Sequence, residues 1–128
     1  GVTYAYAVLP GVDAARTAAF AAKPPCRVLA NTPDLQAVEA ENYLGAVFYR
    51  AGKVKGGAQT LEVECSSPVA VLIRRDADGK RRIYAADLQL RSRGKVRGVY
   101  TGPDGKKEEF TLKLPKDDFA GSTVSRTF

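Results

Sequence analysis

The sequence predicts a mainly β protein, an antiparallel β-sandwich with one short N-terminal helix. Three observations lead to this fold class. After residue 25, apolar and polar residues alternate with a period of two over most of the chain. Turn-forming Gly, Pro, Asn and Asp residues separate these short segments, and one Ala-rich stretch before them has helical composition. Short strands at close spacing, with turns between them, are typical of antiparallel sandwiches and barrels.

The first elements lie before the proline pair at Pro24 and Pro25. Residues 4–9 contain Tyr and Val between small residues and predict a strand, which ends at the following Pro-Gly pair. Asp13 is suited to cap a helix, because its carboxylate accepts hydrogen bonds from the free N–H groups of a first turn. Residues 14–22 are rich in Ala, the residue with the highest helix propensity. The two prolines end this helix, because proline has no N–H to donate and restricts the residue before it.

The rest of the chain predicts a succession of short strands. Their ranges, in order, are 26–30, 35–40, 44–50, 61–65, 69–74, 81–86, 95–100, 106–114 and 122–128. Alternation within three of them predicts which residues share one face: Leu44, Ala46 and Phe48; Leu61, Val63 and Cys65; and Phe110, Leu112 and Leu114. Residues 69–74 instead form a continuous apolar run, which is typical of a strand covered on both faces. Residues 51–53 and 76–79 predict turns, the second of them a β-hairpin.

The composition excludes several classes of protein. A length of 128 residues suits one ordinary domain, and no apolar run approaches the roughly 20 residues that a membrane span requires. The chain has no His, the commonest general acid or base and metal ligand, so we predict no cofactor and no metal site. It has no Met, and its apolar opening lacks the basic start of a signal peptide, so we interpret it as part of a longer precursor.

The two cysteines, Cys26 and Cys65, are not spaced like the ligands of a zinc site, which come in tight pairs. Two interpretations remain open. The cysteines form a disulfide if the protein is exported and their strands bring the two Cα atoms within about 7 Å. Otherwise they are small buried hydrophobic residues in two separate strands.

The net charge of +6 is concentrated in one segment. The stretch from Arg74 to Arg97 contains three acidic residues and nine basic ones: Arg74, Arg75, Lys80, Arg81, Arg82, Arg91, Arg93, Lys95 and Arg97. A basic surface attracts polyanions, so these nine are candidates for contact with an acidic glycan. The alternative is a solvated face whose charges discourage edge-to-edge aggregation. Nucleic-acid binding is not predicted, because aromatic residues do not interleave with the basic ones as a stacking platform requires.

No catalytic motif stands out in the sequence. The candidate pairs are Ser66 and Ser67, Glu62 and Glu64, Asp76 and Asp78, and Tyr4 and Tyr6. The serines have no His to activate them, and the glutamates alternate with apolar residues like the solvent side of a strand. The aspartates resemble the start of a calcium loop but lack the bidentate Glu that ends one, so turn chemistry explains them. The tyrosines, two apart on a predicted strand, are more simply packed sheet residues than phenolic acids or bases.

Several segments, in the same order, resemble polysaccharide lyase family 8, which includes hyaluronate, chondroitin and xanthan lyases. The similar segments are residues 4–11 (the Tyr-x-Tyr-x-x-x-Pro strand that ends the family's central β-domain), 28–32 (Val-Leu-x-Asn-Thr), 36–38 (Gln-Ala-Val), 45–52 (Asn-Phe-(Tyr/Trp)-x-x-Gly) and 67–73 (Pro-x-x-(Val/Ile)-(Leu/Met)). The resemblance is good over residues 4–75 and looser towards the C-terminus. The order and spacing of these segments carry it, rather than any one of them.

The resemblance implies a domain organisation. Family 8 lyases are exported bacterial enzymes built from an α/α toroid, a central β-supersandwich and a small C-terminal β-sandwich. Residues 1–23 then correspond to the last strand of the central domain plus a linker helix, and residues 24–128 to the C-terminal β-sandwich domain. We therefore expect an extracellular or periplasmic, monomeric protein whose partners are the catalytic and central domains of the same lyase.

The resemblance also implies which chemistry the chain lacks. These lyases cleave uronic-acid polysaccharides by β-elimination with Asn, Tyr, His and Arg groups of the toroid and its cleft. Tyr4 and Tyr6 do not match the family's catalytic Tyr, and no other catalytic group carries over to this chain. We therefore expect a chain that is inactive alone and has a structural, accessory role in its lyase. The alternative expectation is a carbohydrate-binding module that holds acidic glycans through the basic segment 74–97.

Overall fold

The computed structural model describes residues 3–90 and 94–128. Within those ranges, helix α1 (Ala14–Ala22) precedes ten strands: β1 (Cys26–Asn31), β2 (Leu35–Ala40), β3 (Tyr43–Phe48), β4 (Gly52–Lys55), β5 (Thr60–Glu64), β6 (Val69–Arg75), β7 (Arg81–Asp87), β8 (Lys95–Thr101), β9 (Lys107–Lys113) and β10 (Val124–Thr127). A short 3₁₀ helix (Asp117–Phe119) separates β9 from β10. Neither helix in the described part of the chain has the length and apolar character that crossing a membrane requires.

The strands form two antiparallel sheets. One has six strands in the order β1-β2-β3-β6-β7-β10, and the other has four in the order β4-β5-β8-β9. Every pair of hydrogen-bonded neighbours runs antiparallel. The buried residues of both sheets form one shared hydrophobic core, as in a sandwich of two packed sheets. The predicted antiparallel β-sandwich with one short N-terminal helix is therefore confirmed.

The core is built from alternate residues of each strand, because successive side chains of a strand point to opposite faces. Leu44 and Phe48 of the six-stranded sheet and Leu61 of the four-stranded sheet are completely buried. The residues predicted to share one face of β3, β5 and β9 are all buried in this core, with one exception. The exception is Cys65, which lies just beyond β5, is half-buried and packs against the edge of the core.

Helix α1 begins and ends as the sequence predicts. The Asp13 side chain accepts a hydrogen bond from the Arg16 N–H at 2.8 Å and so caps the first turn. The helix ends at Ala22, before the two prolines. None of its residues is buried. The helix therefore connects the N-terminal segment to β1 and contributes little to the sandwich core.

Two predictions of local structure differ from the described chain. Residues 4–9 form no strand within it, because none of the described strands pairs with them and an extended segment needs such a partner for its backbone hydrogen bonds. Their assignment to the last strand of a central domain stays a prediction. Residues 51–53 were predicted as a turn, but β4 begins inside this range. Gly52 pairs there with Val63 of β5.

Candidate functional site

The outer face of the four-stranded sheet is charged. Its exposed side chains, the charged face, are Lys53, Lys55, Glu62, Glu64, Lys95, Arg97, Lys107, Glu109 and Lys113. Opposite charges meet across it: Lys53 Nζ lies 3.3 Å from a Glu62 carboxylate oxygen, and Glu64 is the register partner of Arg97. Charged side chains of both signs are well solvated, so this face requires no covering partner.

The outer face of the six-stranded sheet is apolar over its middle, with polar side chains at its ends: Arg74 and Arg82 on β6 and β7, and Gln36 on β2. Its apolar side chains, the apolar face, are Val28, Val38, Tyr43, Val47, Ala70, Leu72, Tyr84 and Ala86. Val28 and Val38 pair across β1 and β2 and remain 48% and 47% exposed. The prediction that residues 69–74 are covered on both faces was wrong for the described chain, because Ala70 and Leu72 are only half-buried. A large part of the apolar surface of this sheet is thus left open.

The N-terminal segment lies beside the apolar face. The Tyr4 carbonyl oxygen accepts a hydrogen bond from Asn31 Nδ2 at 3.0 Å, which fixes the segment near the end of β1. Residues 3–6 form one wall of an open groove, and the opposite wall includes Val28, Gln36 and Val38. The chain therefore enters the sandwich at one edge of this face.

Of the nine basic residues predicted as glycan contacts, the seven that the structure describes do not form a single surface. Lys95 and Arg97 belong to the charged face, on the four-stranded sheet. The β6–β7 hairpin of the other sheet carries five more: Arg74, Arg75, Lys80, Arg81 and Arg82. The remaining two, Arg91 and Arg93, lie outside the described residues. The cluster is divided because β7 and β8, which follow each other along the chain, belong to different sheets.

Within the hairpin, the outward basic pair is Arg74 and Arg82, which lie directly across from each other on β6 and β7. Arg74 Nε is 3.0 Å from a carboxylate oxygen of Asp76. The Arg81 side chain is only 20% exposed, and its guanidinium carbon lies 5.7 Å from the centre of the Tyr100 ring. Arg81 therefore stabilises the packing between the two sheets. Arg74 is exposed, and Arg82 is half-buried with its Nε donating to Thr127 Oγ1 at 3.2 Å.

A polar cluster centred on Glu39 links the two sheets, and no sequence motif indicates it. Glu39 lies on β2, and its Oε2 accepts a hydrogen bond from Arg27 on β1 at 2.7 Å. Its carboxylate also accepts the Gly57 N–H at 3.1 Å and Gln59 Nε2 at 2.9 Å, both from the β4–β5 connection. The Tyr100 hydroxyl on β8 donates to Gln59 Oε1 at 2.8 Å. Side chains of both sheets are thus joined by one continuous hydrogen-bonded chain.

The pKa values of this cluster follow from burial and hydrogen bonding. Burial by itself raises the pKa of the Glu39 carboxyl, but hydrogen bonds from Gln59, Gly57 and Arg27 together hold that pKa below its ordinary value. Burial raises the pKa of the Tyr100 hydroxyl. Glu39 is therefore ionised and Tyr100 protonated near neutral pH, which are the states that the hydrogen bonds require.

Both cysteines are free. Cys26 is exposed at the start of β1, and Cys65 is half-buried next to β5 in the other sheet. Of the two interpretations left open by the sequence, the Cys26–Cys65 disulfide is absent from the structure, and burial as small hydrophobic residues fits Cys65 but not Cys26. Burial raises the pKa of the Cys65 thiol, which lowers its thiolate fraction and its reactivity.

The candidate catalytic pairs lie on the surface. The rings of Tyr4 and Tyr6 stack with centroids 6.1 Å apart but are 78% and 79% exposed, so they are not packed sheet residues within this chain. Glu62 and Glu64 face solvent, as predicted. Asp78 accepts the Lys80 N–H at 3.0 Å in the hairpin turn, and this hydrogen bond lowers the pKa of its carboxyl. Within residues 3–90 and 94–128, no group of three or more His, Cys, Asp and Glu side chains is suited to hold a metal ion.

Comparison with known proteins connects this fold to one family. Residues 27–87 match the polysaccharide lyase family 8, C-terminal beta-sandwich domain. The chain is 36% identical over 123 residues to chondroitinase-AC of Pedobacter heparinus. This alignment covers 94% of this chain and 17% of that protein. It is 31% identical over 117 residues to hyaluronate lyase HylB of Enterococcus faecalis, covering 89% of this chain and 10% of that protein.

A solved structure of chondroitinase AC lyase, from a study of its enzyme–oligosaccharide complexes, has the same fold in the matched region. The TM-score is 0.76 at 31% sequence identity, and the match covers 92% of this chain and 17% of that chain. The chain thus spans less than a fifth of the length of each of these relatives. Sequence identity and fold agree over nearly the whole chain. The chain belongs to polysaccharide lyase family 8 and is a C-terminal β-sandwich domain of a lyase of this family.

Proposed function

We propose that this chain is a non-catalytic, structural domain of a lyase that degrades uronic-acid polysaccharides of the hyaluronan, chondroitin or xanthan type by β-elimination. The observation that carries the proposal is the coverage of the relatives: 94% of this chain matches only 17% of chondroitinase-AC. The chain also has no His, the side chain most often used as a general acid or base. Polysaccharide substrates are too large to enter a cell, so the proposal includes an extracellular or periplasmic location.

Product formation tests this proposal. The isolated chain and the full-length lyase are each incubated with chondroitin and hyaluronan, and unsaturated uronate products are followed by ultraviolet absorbance. We expect product from the full-length lyase and none from the chain. In the full-length lyase, Tyr4→Phe with Tyr6→Phe should leave kcat within about twofold, because a phenol that takes part in proton transfer contributes ~100-fold or more. Product from the isolated chain, or a collapse of kcat in the double variant, would overturn the proposal.

A second candidate function is contact with an acidic glycan through Arg74 and Arg82. Like charges directly opposite each other on neighbouring strands destabilise the pairing, and an anion bound between them would remove that repulsion. Asp76 offsets part of the charge of Arg74, so the contact we propose is weak and depends on salt.

Retention on a chondroitin sulfate column distinguishes this candidate from general charge attraction. Arg74→Ala with Arg82→Ala and Lys95→Ala with Arg97→Ala each remove two positive charges, the first pair from the β6–β7 hairpin and the second from the charged face. A site at the hairpin predicts weaker retention of the first variant alone. Equal losses in both variants would indicate attraction by net charge and would remove the candidate.

A further inference from the structure

We infer that the apolar face of the six-stranded sheet is the surface on which the rest of the lyase packs. The inference rests on the proposed function, since it takes this chain to be one domain of a larger enzyme. It names the surface, which the family match does not provide. It commits to one occupant: an apolar surface of the part of the same lyase that precedes this domain.

The first support is the contrast between the two outer faces. The charged face exposes nine charged side chains, whereas the corresponding rows of the other sheet carry Val, Leu, Ala and Tyr side chains over most of their length and two charged ones, Arg74 and Arg82, at one end. Val28, Val38 and Tyr43 are each 44–48% exposed. Contiguous exposed apolar patches on a soluble protein mark interaction sites. The charged face is therefore compatible with contact with water, whereas the apolar face is compatible with contact with an apolar partner surface.

The second support is where the preceding chain meets the sandwich. Residues 3–6 line a groove with outward-facing side chains of β1 and β2, and the hydrogen bond from Asn31 to the Tyr4 carbonyl holds them there. In a lyase that ends with this domain, the preceding part is joined through this segment. The preceding part of the lyase therefore joins this domain at the edge of the apolar face and not at the charged face.

The third support is the shape of the apolar face away from this edge. A shallow groove runs between β6 and β7, and its walls include Ala70, Leu72, Tyr84, Ala86 and Thr123. Small alanine side chains between larger ones leave room for an apolar side chain from a partner. Sequence alone already predicts a covering here, because the apolar run of residues 69–74 is typical of a strand buried on both sides.

Binding after a specific cut tests the inference in the full-length lyase. A site-specific protease sequence is inserted after Lys23, between α1 and β1, and the cut protein is separated by gel filtration. We expect the wild-type C-terminal fragment to remain bound to the rest of the lyase. Val38→Lys should weaken this association by about 100-fold, because it buries an unpaired charge in an apolar contact.

Two further variants make the result decisive. Val99→Lys is the matched control, because Val99 lies on the outside of the other sheet between Glu62 and Glu109. It should leave the association unchanged. Val28→Lys, on the edge strand β1, is a second test of the apolar face if circular dichroism shows that Val38→Lys does not fold.

Three outcomes would overturn the inference. The first is a wild-type fragment that separates freely, and the second is disruption by Val99→Lys rather than by Val38→Lys. The third is a decrease in the oligomeric mass of the uncut lyase when it carries Val38→Lys. This decrease would mean that the apolar face binds a second copy of the lyase. None of these readouts involves product formation, so failure here is distinguishable from failure of the proposed function.

Discussion

At the scale of single residues, Glu39 shows how a charged side chain can join the two sheets of a sandwich. It sits on a strand where the sequence pattern is merely alternating, and its partners Arg27, Gly57 and Gln59 come from three other positions along the chain. Only the fold brings them together. No spacing rule applied to the sequence identifies such a cluster, since its partners are distant in sequence and chemically ordinary.

Glu39→Gln should lower the free energy of unfolding by about 1–2 kcal/mol near neutral pH, because charge-assisted hydrogen bonds are lost. Urea unfolding measures the change. The control is Glu62→Gln, which removes a solvent-exposed ion pair with Lys53 and should change stability by less than about 0.5 kcal/mol. Equal effects of the two substitutions would mean that the Glu39 cluster does not hold the sheets together.

The stabilisation by Glu39 should also depend on pH. Its pKa is lower in the folded protein than its ordinary value, so the folded state favours the ionised carboxylate. The contribution is complete above the ordinary carboxyl pKa and is lost as the pH falls through the folded-state pKa. The stability difference between wild type and Glu39→Gln should therefore be constant from neutral pH to about pH 5 and narrow below it. A difference that widens on acidification would contradict this assignment.

Gly98 is the second residue on which the sandwich depends. A Cβ at this position of β8 would overlap the Glu62 carbonyl oxygen and the Phe110 ring. Gly98→Ala should therefore lower the free energy of unfolding by about 1–3 kcal/mol, as overpacked cores do. Gly45→Ala is the control, because its Cβ would meet neighbours at an ordinary 3.7 Å. Thermal unfolding of the two variants side by side measures the difference, and equal melting temperatures would argue against the close approach.

At the scale of elements, β10 joins the six-stranded sheet late in the chain and is anchored by the last residue. The Phe128 ring stacks on Tyr100 with centroids 5.9 Å apart, and the Phe128 N–H donates to the Arg81 carbonyl at 2.9 Å. Phe128→Ala should cost about 2 kcal/mol, less than a fully buried Phe. Faster amide exchange in β10 would accompany it. Phe119→Ala, at a ring that is 72% exposed, is the control and should change neither quantity.

The elements also show what the sequence predicts and what it does not. Strands with strict alternation, such as β3 and β9, were predicted with their buried faces, because a period of two directly reports which side meets the core. Residues 4–9 have the same local character but no strand partner among the described residues. Whether a segment pairs as a strand depends on the strands beside it, so its own β-propensity does not predict the pairing. Strand β4 was missed, because the glycine that begins it resembles a turn residue.

At the scale of the whole molecule, the basic segment shows the limit of counting charges along a sequence. The segment carries the net charge of the chain, yet the fold assigns Lys95 and Arg97 to one sheet and Arg74 and Arg82 to the other. The family resemblance was predictable because it depends on the order of short segments, and the chain's match to family 8 relatives confirms it. The two outer faces were not distinguishable until the strands were assigned to sheets.

The most direct test of the account is side-chain footprinting of the isolated chain and of the full-length lyase. Carbene labelling reports which side chains reach solvent in each. We predict strong protection of Val38, Tyr43 and Tyr84 in the full-length lyase, with unchanged labelling of Lys53 and Lys113 on the charged face. Equal labelling of the apolar face in both proteins, or protection of the charged face instead, would contradict the account of this chain as a structural domain packed through its six-stranded sheet.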